Sequence, residues 1–180
     1  MYDICSFLDT EKWVKEALSN HNDEKAAMNL VLFQDAIKHV CKITRIVSNS
    51  SGHALLVGVG GSGKQSLAKL SAYIKEYVVF SITVSQSYNL GDLKTDLLTL
   101  FEKCGWKDEY IMFLITDSHI NKENFLVYIN DLLSSGEVSD LYLEDEKLNI
   151  INNVRPKCKG ANKGDSNDEV WAYYIDKVKE

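Results

Sequence analysis

The chain has 180 residues, a formal net charge of −6, 45% apolar and 26% charged residues, which leaves room for one sizeable core and no cationic surplus of the kind that non-specific nucleic-acid binding requires. Cys5, Cys41, Cys104 and Cys158 stand far apart and form no C-x-x-C pair, so zinc and dithiol chemistry are not expected and a reducing compartment is. No apolar run is long enough for a membrane span, and Asp3 and Glu11 interrupt any basic-then-apolar leader, so a soluble intracellular protein with no membrane and no nucleic-acid partner is expected.

In chain order, residues 2 to 20 carry Phe7, Leu8, Trp13, Val14, Ala17 and Leu18 among charges, the spacing of one amphipathic helix, and His21-Asn22-Asp23 is expected to break it. A second helix is predicted from Met28 to Val47, its stripe running through Leu30, Val31, Phe33, Ala36, Ile37, Val40, Ile43 and Ile46; plain packing accounts for most of these. Ser48 to Gly52 is a turn cluster. Then Ala54 to Val57 reads as a short buried strand, Gly58-Val59-Gly60-Gly61-Ser62-Gly63 as a glycine-rich turn, and Lys64 opens a helix with apolar positions at Leu67, Leu70 and Ile74.

Strand, glycine-rich loop and helix in that order make a phosphate cradle. Glycines let successive N–H groups approach an anion with no Cβ in the way. The helix N-terminus adds partial positive charge, and Lys64 adds a full charge on a flexible stem that reaches β- and γ-phosphates. One position departs from the pattern: a Ser or Thr whose hydroxyl binds Mg²⁺ belongs after the lysine, and here Gln65 stands there with Ser66 one residue late. One residue is about 100° of helical rotation, so phosphate binding is expected to survive this change better than metal-dependent hydrolysis. The bland alternative is an ordinary glycine-rich β–α turn.

Tyr77 to Val84, β-branched and aromatic, is the second expected strand, and Tyr88 to Asp92 turns into a helix from Leu93 to Cys104 that Gly105 stops. Tyr110 to Thr116 is the third strand; Asp117 comes next at its carboxyl end, where ligands of parallel sheets sit, and is the candidate Mg²⁺ support, with capping of the next helix as the plainer alternative. Ser118 is no base at neutral pH; His119 reads first as a packing or hydrogen-bonding residue, and Glu123 would serve as a base only if its loop folded back. Further helices are expected at Asn124 to Leu133, closed by Ser134-Ser135-Gly136, and at Glu144 to Val154. Arg155 reads as helix-end surface, Lys157 to Asp168 as a polar loop without apolar anchors, and Trp171 to Ile175 as the start of a last helix.

The segments NLVLFQDAIKH (29–39), GHALLVGVGGSGKQSL (52–67), FLITDSHI (113–120) and INDLLSSGEV (129–138) together closely resemble the fourth AAA+ module of a dynein heavy chain. Gln65 and Thr116-Asp117-Ser118 suggest the axonemal branch. The resemblance covers nearly the whole chain and implies an α/β P-loop NTPase fold of the AAA+ type, a three-layer α/β/α sandwich with a mostly parallel sheet. By that likeness residues 1–52 are helices leading into the module and 53–180 a partial nucleotide-binding core, truncated before the sensor strand and helical lid. In the family's strand order the absent strand belongs between the phosphate-loop strand and the Asp117 strand. An isolated chain is then expected either to be marginal or to pair its first and third strands directly.

Carried over by position, the resemblance implies phosphate contacts for Gly58, Val59, Gly60, Gly61, Ser62, Gly63 and Lys64, Mg²⁺ contacts for Gln65 or Ser66, and Mg²⁺ support from Asp117. Leu30 to Phe33, with Leu32 and Phe33 foremost, matches the stretch that lines the adenine. AAA+ ATPases carry a catalytic Glu after that Asp; Ser118 stands there, so no catalytic residue is assigned. The implied function is a regulatory module that binds ATP or ADP with Mg²⁺ and hydrolyses it weakly or not at all. The implied partners are neighbouring AAA+ modules of the same heavy chain, the microtubule through the parent protein, and dynein intermediate and light chains, in the cytoplasmic cytoskeleton and the axoneme of a cilium or flagellum. Two other classes stay open: a structural module that has lost nucleotide binding, and a free-standing P-loop NTPase or kinase, for which no acceptor site is visible.

Overall fold

The computed structural model describes residues 6–83, 85, 87–120 and 123–180. The fold is α/β, with seven α-helices and a two-stranded parallel sheet among the described residues. None of the described helices is long and apolar enough to cross a membrane. The chain divides into two compact units, Met1–Val79 and Phe80–Glu180.

The first unit packs α1 (Phe7–Glu24), α2 (Gln34–Val47) and α3 (Lys64–Ile74). Ser6 caps α1, its hydroxyl accepting from the Asp9 N–H. The helix does not break at His21-Asn22-Asp23 as expected. His21 is buried and meets Tyr73 edge-on at 5.1 Å, so continuing the helix gains a packed ring. Asn22 instead fixes the chain beyond the helix: its amide accepts from the Met28 N–H at 2.8 Å and donates to the Met28 carbonyl at 3.3 Å. With both backbone groups of Met28 engaged, residues 28–33 run as non-helical chain and α2 starts at Gln34, six residues later than periodicity suggests. The core of this unit is Val14, Ala36, Ile37, Val40, Ile43, Leu67 and Leu70, and Ser71, also buried, donates to the Leu67 carbonyl at 2.9 Å.

The expected strand Ala54–Val57 does not form. Leu55 and Val57 are 89% and 87% exposed, because no strand among the described residues hydrogen-bonds to the segment; Leu56 alone of the run is half-buried, against the first unit's core.

The strands that pair are the second and third, β1 (Val78–Phe80) and β2 (Ile111–Phe113), rather than the first and third. The Leu114 N–H donates to the Phe80 carbonyl at 2.8 Å, and the Phe80 and Phe113 rings lie 5.9 Å apart. Both strands are shorter than their apolar runs, Tyr77–Val84 and Tyr110–Thr116; the far end of the first run, Val84, lies outside the described residues, as does Cys5. A strand with one neighbour satisfies only half its ladder, so regular pairing fades after a few residues.

In the second unit α4 (Leu90–Phe101) starts from an Asn89–Asp92 capping box and passes into a π-helical turn, Glu102–Trp106. Gly105 is therefore no helix stop: it is buried inside that turn, and a Cβ there would lie 2.3 Å from the Tyr174 ring. Glycine is required by this close approach. Helix α5 (Asn124–Ser134) ends at Gly136, φ +70°, as its sequence predicts.

Helix α6 (Glu144–Gly160) runs past its expected end at Val154 and through Pro156. Proline removes one hydrogen bond, but Val154 and Cys158 are both fully buried and hold the next turn in place. The stretch after Arg155 is thus partly helical and has an apolar anchor, contrary to the polar-loop reading. Arg155 is not helix-end surface either: its guanidinium ties α6 to the adjoining loop through the Asp165 carbonyl and carboxylate and, at 2.5 Å, Asn167 Oδ1. Helix α7 (Asn167–Lys179) begins before Trp171 because Ser166 and Glu169 form a capping box. Tyr142 meets Trp171 and Tyr174 edge-on, Trp171 and Tyr174 lie tilted against each other, and the two tyrosine hydroxyls are 2.9 Å apart.

Gly105→Ala forces a methyl into the Tyr174 ring and should destabilise the protein by about 1–3 kcal/mol in urea unfolding. Hydrogen bonds from Lys159 and then Arg155 lower the Asp165 carboxyl below its usual 3.8, and the Ser166 hydroxyl and N–H with the Asp165 N–H lower Glu169 below its usual 4.5. Folded values below unfolded ones mean that the hold on this loop is complete above the ordinary carboxylate range and is lost as pH falls through the lowered values. Amide exchange at 165–169 should accelerate on acidification through that window, and Glu169→Gln should remove part of the dependence.

Candidate functional site

The glycine-rich loop is folded around one ammonium. Lys64 Nζ donates to the Gly58 carbonyl at 2.8 Å, the Val59 carbonyl at 2.7 Å and Ser62 Oγ at 3.2 Å. Drawing these acceptors inward leaves the donors unpaired: among the described residues, no backbone N–H from Gly60 to Ser66 has an acceptor. Gly61 and Gly63 take left-handed backbone, φ +73° and +77°, which a side chain would strain, and the Cβ position of Gly60 faces open space.

Gly63 is also the N-cap of α3 and carries no capping side chain, and the first turn of α3 holds no acid. The other described helices differ. Ser6, Asn89 and Ser166 cap α1, α4 and α7; α2 and α6 have Asp35 and Glu144 in their first turns; and α5 has Glu123 at its N-cap. α2 and α5 also lack a side-chain cap bond, but α3 alone among them has neither such a bond nor an acid at its N-cap or in its first turn, so its partial positive charge meets no nearby carboxylate. An anion with several oxygens is the chemical complement of this arrangement.

The remaining expected residues of the first unit fall around the loop unevenly. Gln65 is exposed and Ser66 half-buried on the first turn of α3. Leu30 stands beside the cradle, its Cδ1 3.3 Å from where a Gly63 Cβ would be. Leu32 packs on the first unit's core, whereas Phe33, at the start of α2, is 62% exposed. All three sit on non-helical chain rather than on a helix, and Leu30 is brought nearest the loop. Ser62 has an unforeseen part as an acceptor for Lys64; a hydroxyl two residues before the lysine is its only trace in the sequence.

Asp117 belongs to the second unit and opens a single 3₁₀ turn, Asp117–His119. Its carboxylate is exposed and has no hydrogen bond or ion pair among the described residues. The turn is held from Thr116: the Thr116 N–H donates to His119 Nδ1 at 3.2 Å, the His119 N–H donates back to the Thr116 carbonyl at 2.9 Å, and the Thr116 and Ser118 hydroxyls share a hydrogen bond of 2.7 Å. His119 is thus a hydrogen-bonding residue with Nδ1 engaged, and Glu123 is exposed at the start of α5.

No cluster of three metal-binding side chains occurs among the described residues. Asp117 in the second unit carries an exposed carboxylate, and Gln65 and Ser66 in the first carry side-chain oxygens, each a hard donor taken by itself. The described cysteines are free, and burial pushes the Cys104 thiol up to about 11, so it is unreactive near neutral pH.

Comparison with known proteins places the chain among relatives. The sequence model of the family "P-loop containing dynein motor region D4" matches residues 28–180. The dynein alpha chain of the flagellar outer arm of Chlamydomonas reinhardtii is 50% identical over 177 residues, 98% of this chain and 4% of its own length. A ciliary dynein beta chain of Tripneustes gratilla is 49% identical over 176 residues, again 98% and 4%. Human dynein axonemal heavy chain 9 is 50% identical over 164 residues, 91% and 4%. The chain spans about 4% of the length of these curated relatives.

The left-handed backbone of Gly63 and its contact with Leu30 make this residue sensitive to substitution. Gly63→Ala should cost about 1–2 kcal/mol in urea unfolding, the penalty of a Cβ in left-handed backbone.

Proposed function

The chain belongs to the P-loop-containing dynein motor region D4 family, and from that membership we propose that it is a regulatory nucleotide-binding module of an axonemal dynein heavy chain. It binds ATP or ADP through Gly58–Gly63 and Lys64, with Mg²⁺ supported by Asp117 and by Gln65 or Ser66, and couples nucleotide state to the conformation of neighbouring AAA+ modules. The observation that carries this reading is the start of α3: free N–H groups from Gly60 to Ser66, no cap, no acid, and Lys64 beside them.

Hydrolysis by this module is slow or absent, because no base stands beside Asp117: Ser118 is the next residue, and His119 Nδ1 already accepts a hydrogen bond. The microtubule, the dynein intermediate and light chains and the cytoskeletal setting in a cilium or flagellum belong to the parent motor, in line with the flagellar, ciliary and axonemal relatives. One observation favours a second reading, a structural module that no longer binds nucleotide: the segment leading into the loop, Ala54–Val57, has no ladder to hold it.

Titration with fluorescent ATP and ADP, with and without Mg²⁺, separates the two. Nucleotide should bind, and Lys64→Ala should weaken it by roughly 10–100-fold, the worth of a charged hydrogen bond of about 1.5–3 kcal/mol. Phosphate release should stay near background. A chain that is folded by circular dichroism yet binds neither nucleotide would establish the structural reading instead.

A further inference from the structure

We propose that His119 is a positioning residue for Asp117: it closes the turn that presents the Asp117 carboxylate, and it does so as a neutral acceptor. The proposal rests on the reading of Asp117 as the Mg²⁺ support.

The Asp117 carboxylate has no partner among the described residues and is exposed, so its direction depends on the backbone of the turn it opens. That turn has only three residues and is held by the reciprocal pair between Thr116 and His119, with the Ile120 N–H donating to the Asp117 carbonyl at 3.1 Å. A backbone N–H can only donate. His119 Nδ1 is therefore unprotonated, and in the neutral ring the proton is on Nε2.

The choice of residue is informative. At the starts of α4, α6 and α7 the same reach back to the preceding N–H is made by a carboxylate, from Asp92, Glu146 and Glu169. A carboxylate at 119 would close the turn equally well, but it would set a second negative charge two residues from Asp117 and compete for the same cation. Imidazole supplies the acceptor without the charge. Thr116-x-x-His119 thus carries one half of a capping box, the reach back from the third residue, with its acid exchanged for a neutral group.

The test uses the 180-residue chain. Long-range ¹H–¹⁵N spectra of the imidazole should show Nδ1 unprotonated and Nε2–H; a ring protonated at Nδ1 overturns the proposal without reference to any ligand. In titrations with fluorescent ATP, His119→Ala should remove about 10-fold of the affinity that Mg²⁺ adds, as loss of a ligand-orienting partner does, while Mg²⁺-free affinity stays unchanged. His119→Gln keeps a neutral acceptor and should restore the Mg²⁺ gain. A gain unchanged in His119→Ala, or not restored by a folded His119→Gln, overturns the proposal. Asp117→Asn tells the two layers apart: if it abolishes the gain and His119→Ala does not, only the role of His119 fails, and if it leaves the gain intact, the reading of Asp117 fails and the proposal with it.

Discussion

Burial of one face of α3 is the constraint on which the first unit depends. Leu67, Leu70 and Ser71 are taken up by the same core as Val14 of α1 and Ile37, Val40 and Ile43 of α2, so the helix is fixed in place by its flank. Its first turn is thereby relieved of any part in stability and can remain uncapped. An orphan helix start is a local cost of about 1 kcal/mol against a well-chosen cap. Packing of several large apolar side chains offsets it many times over. Among the described helices this start alone has neither a side-chain cap bond nor an acid beside it.

The second unit is built differently, on the repeated use of one short-range device. Reciprocal caps begin α4 and α7, Glu146 reaches back to the Leu143 N–H at the start of α6, and His119 makes the same reach to the Thr116 N–H at the end of β2. Between these starts, long-range contacts complete the packing: Tyr174 against Gly105, Arg155 across to Asp165 and Asn167, and Trp171 Nε1 donating to Glu137 at 2.8 Å.

What could be read in advance was what is local. The glycine-rich loop, the helix after it, the helix from Asn124 and the glycine that ends it are set by side chains within a few residues of one another. What could not be read depends on tertiary contacts and burial that no local pattern announces. Asn22 pins Met28 and so delays α2; Tyr174 crowds Gly105, turning an apparent stop into a packed position; buried Cys158 carries α6 beyond Pro156. The run Ala54–Val57 shows the limit from the other side. Its composition suits a buried strand, but burial is a property of neighbours, and no paired strand among the described residues supplies them. Lys64 was legible as a charge, while its grip on Gly58, Val59 and Ser62 was not, since a motif does not say which acceptors of its own loop a side chain meets.

That grip has a kinetic meaning. A loop already folded around its own lysine has little left to order when an anion arrives, so the usual entropy loss on immobilising a glycine-rich segment is small. Encounter is then governed by diffusion and the local field, and differences between one phosphate-bearing ligand and another are expressed in how long each stays. Under the proposed nucleotide-holding role, residence time is the quantity that matters, and the three hydrogen bonds of Lys64 are where it begins to be set.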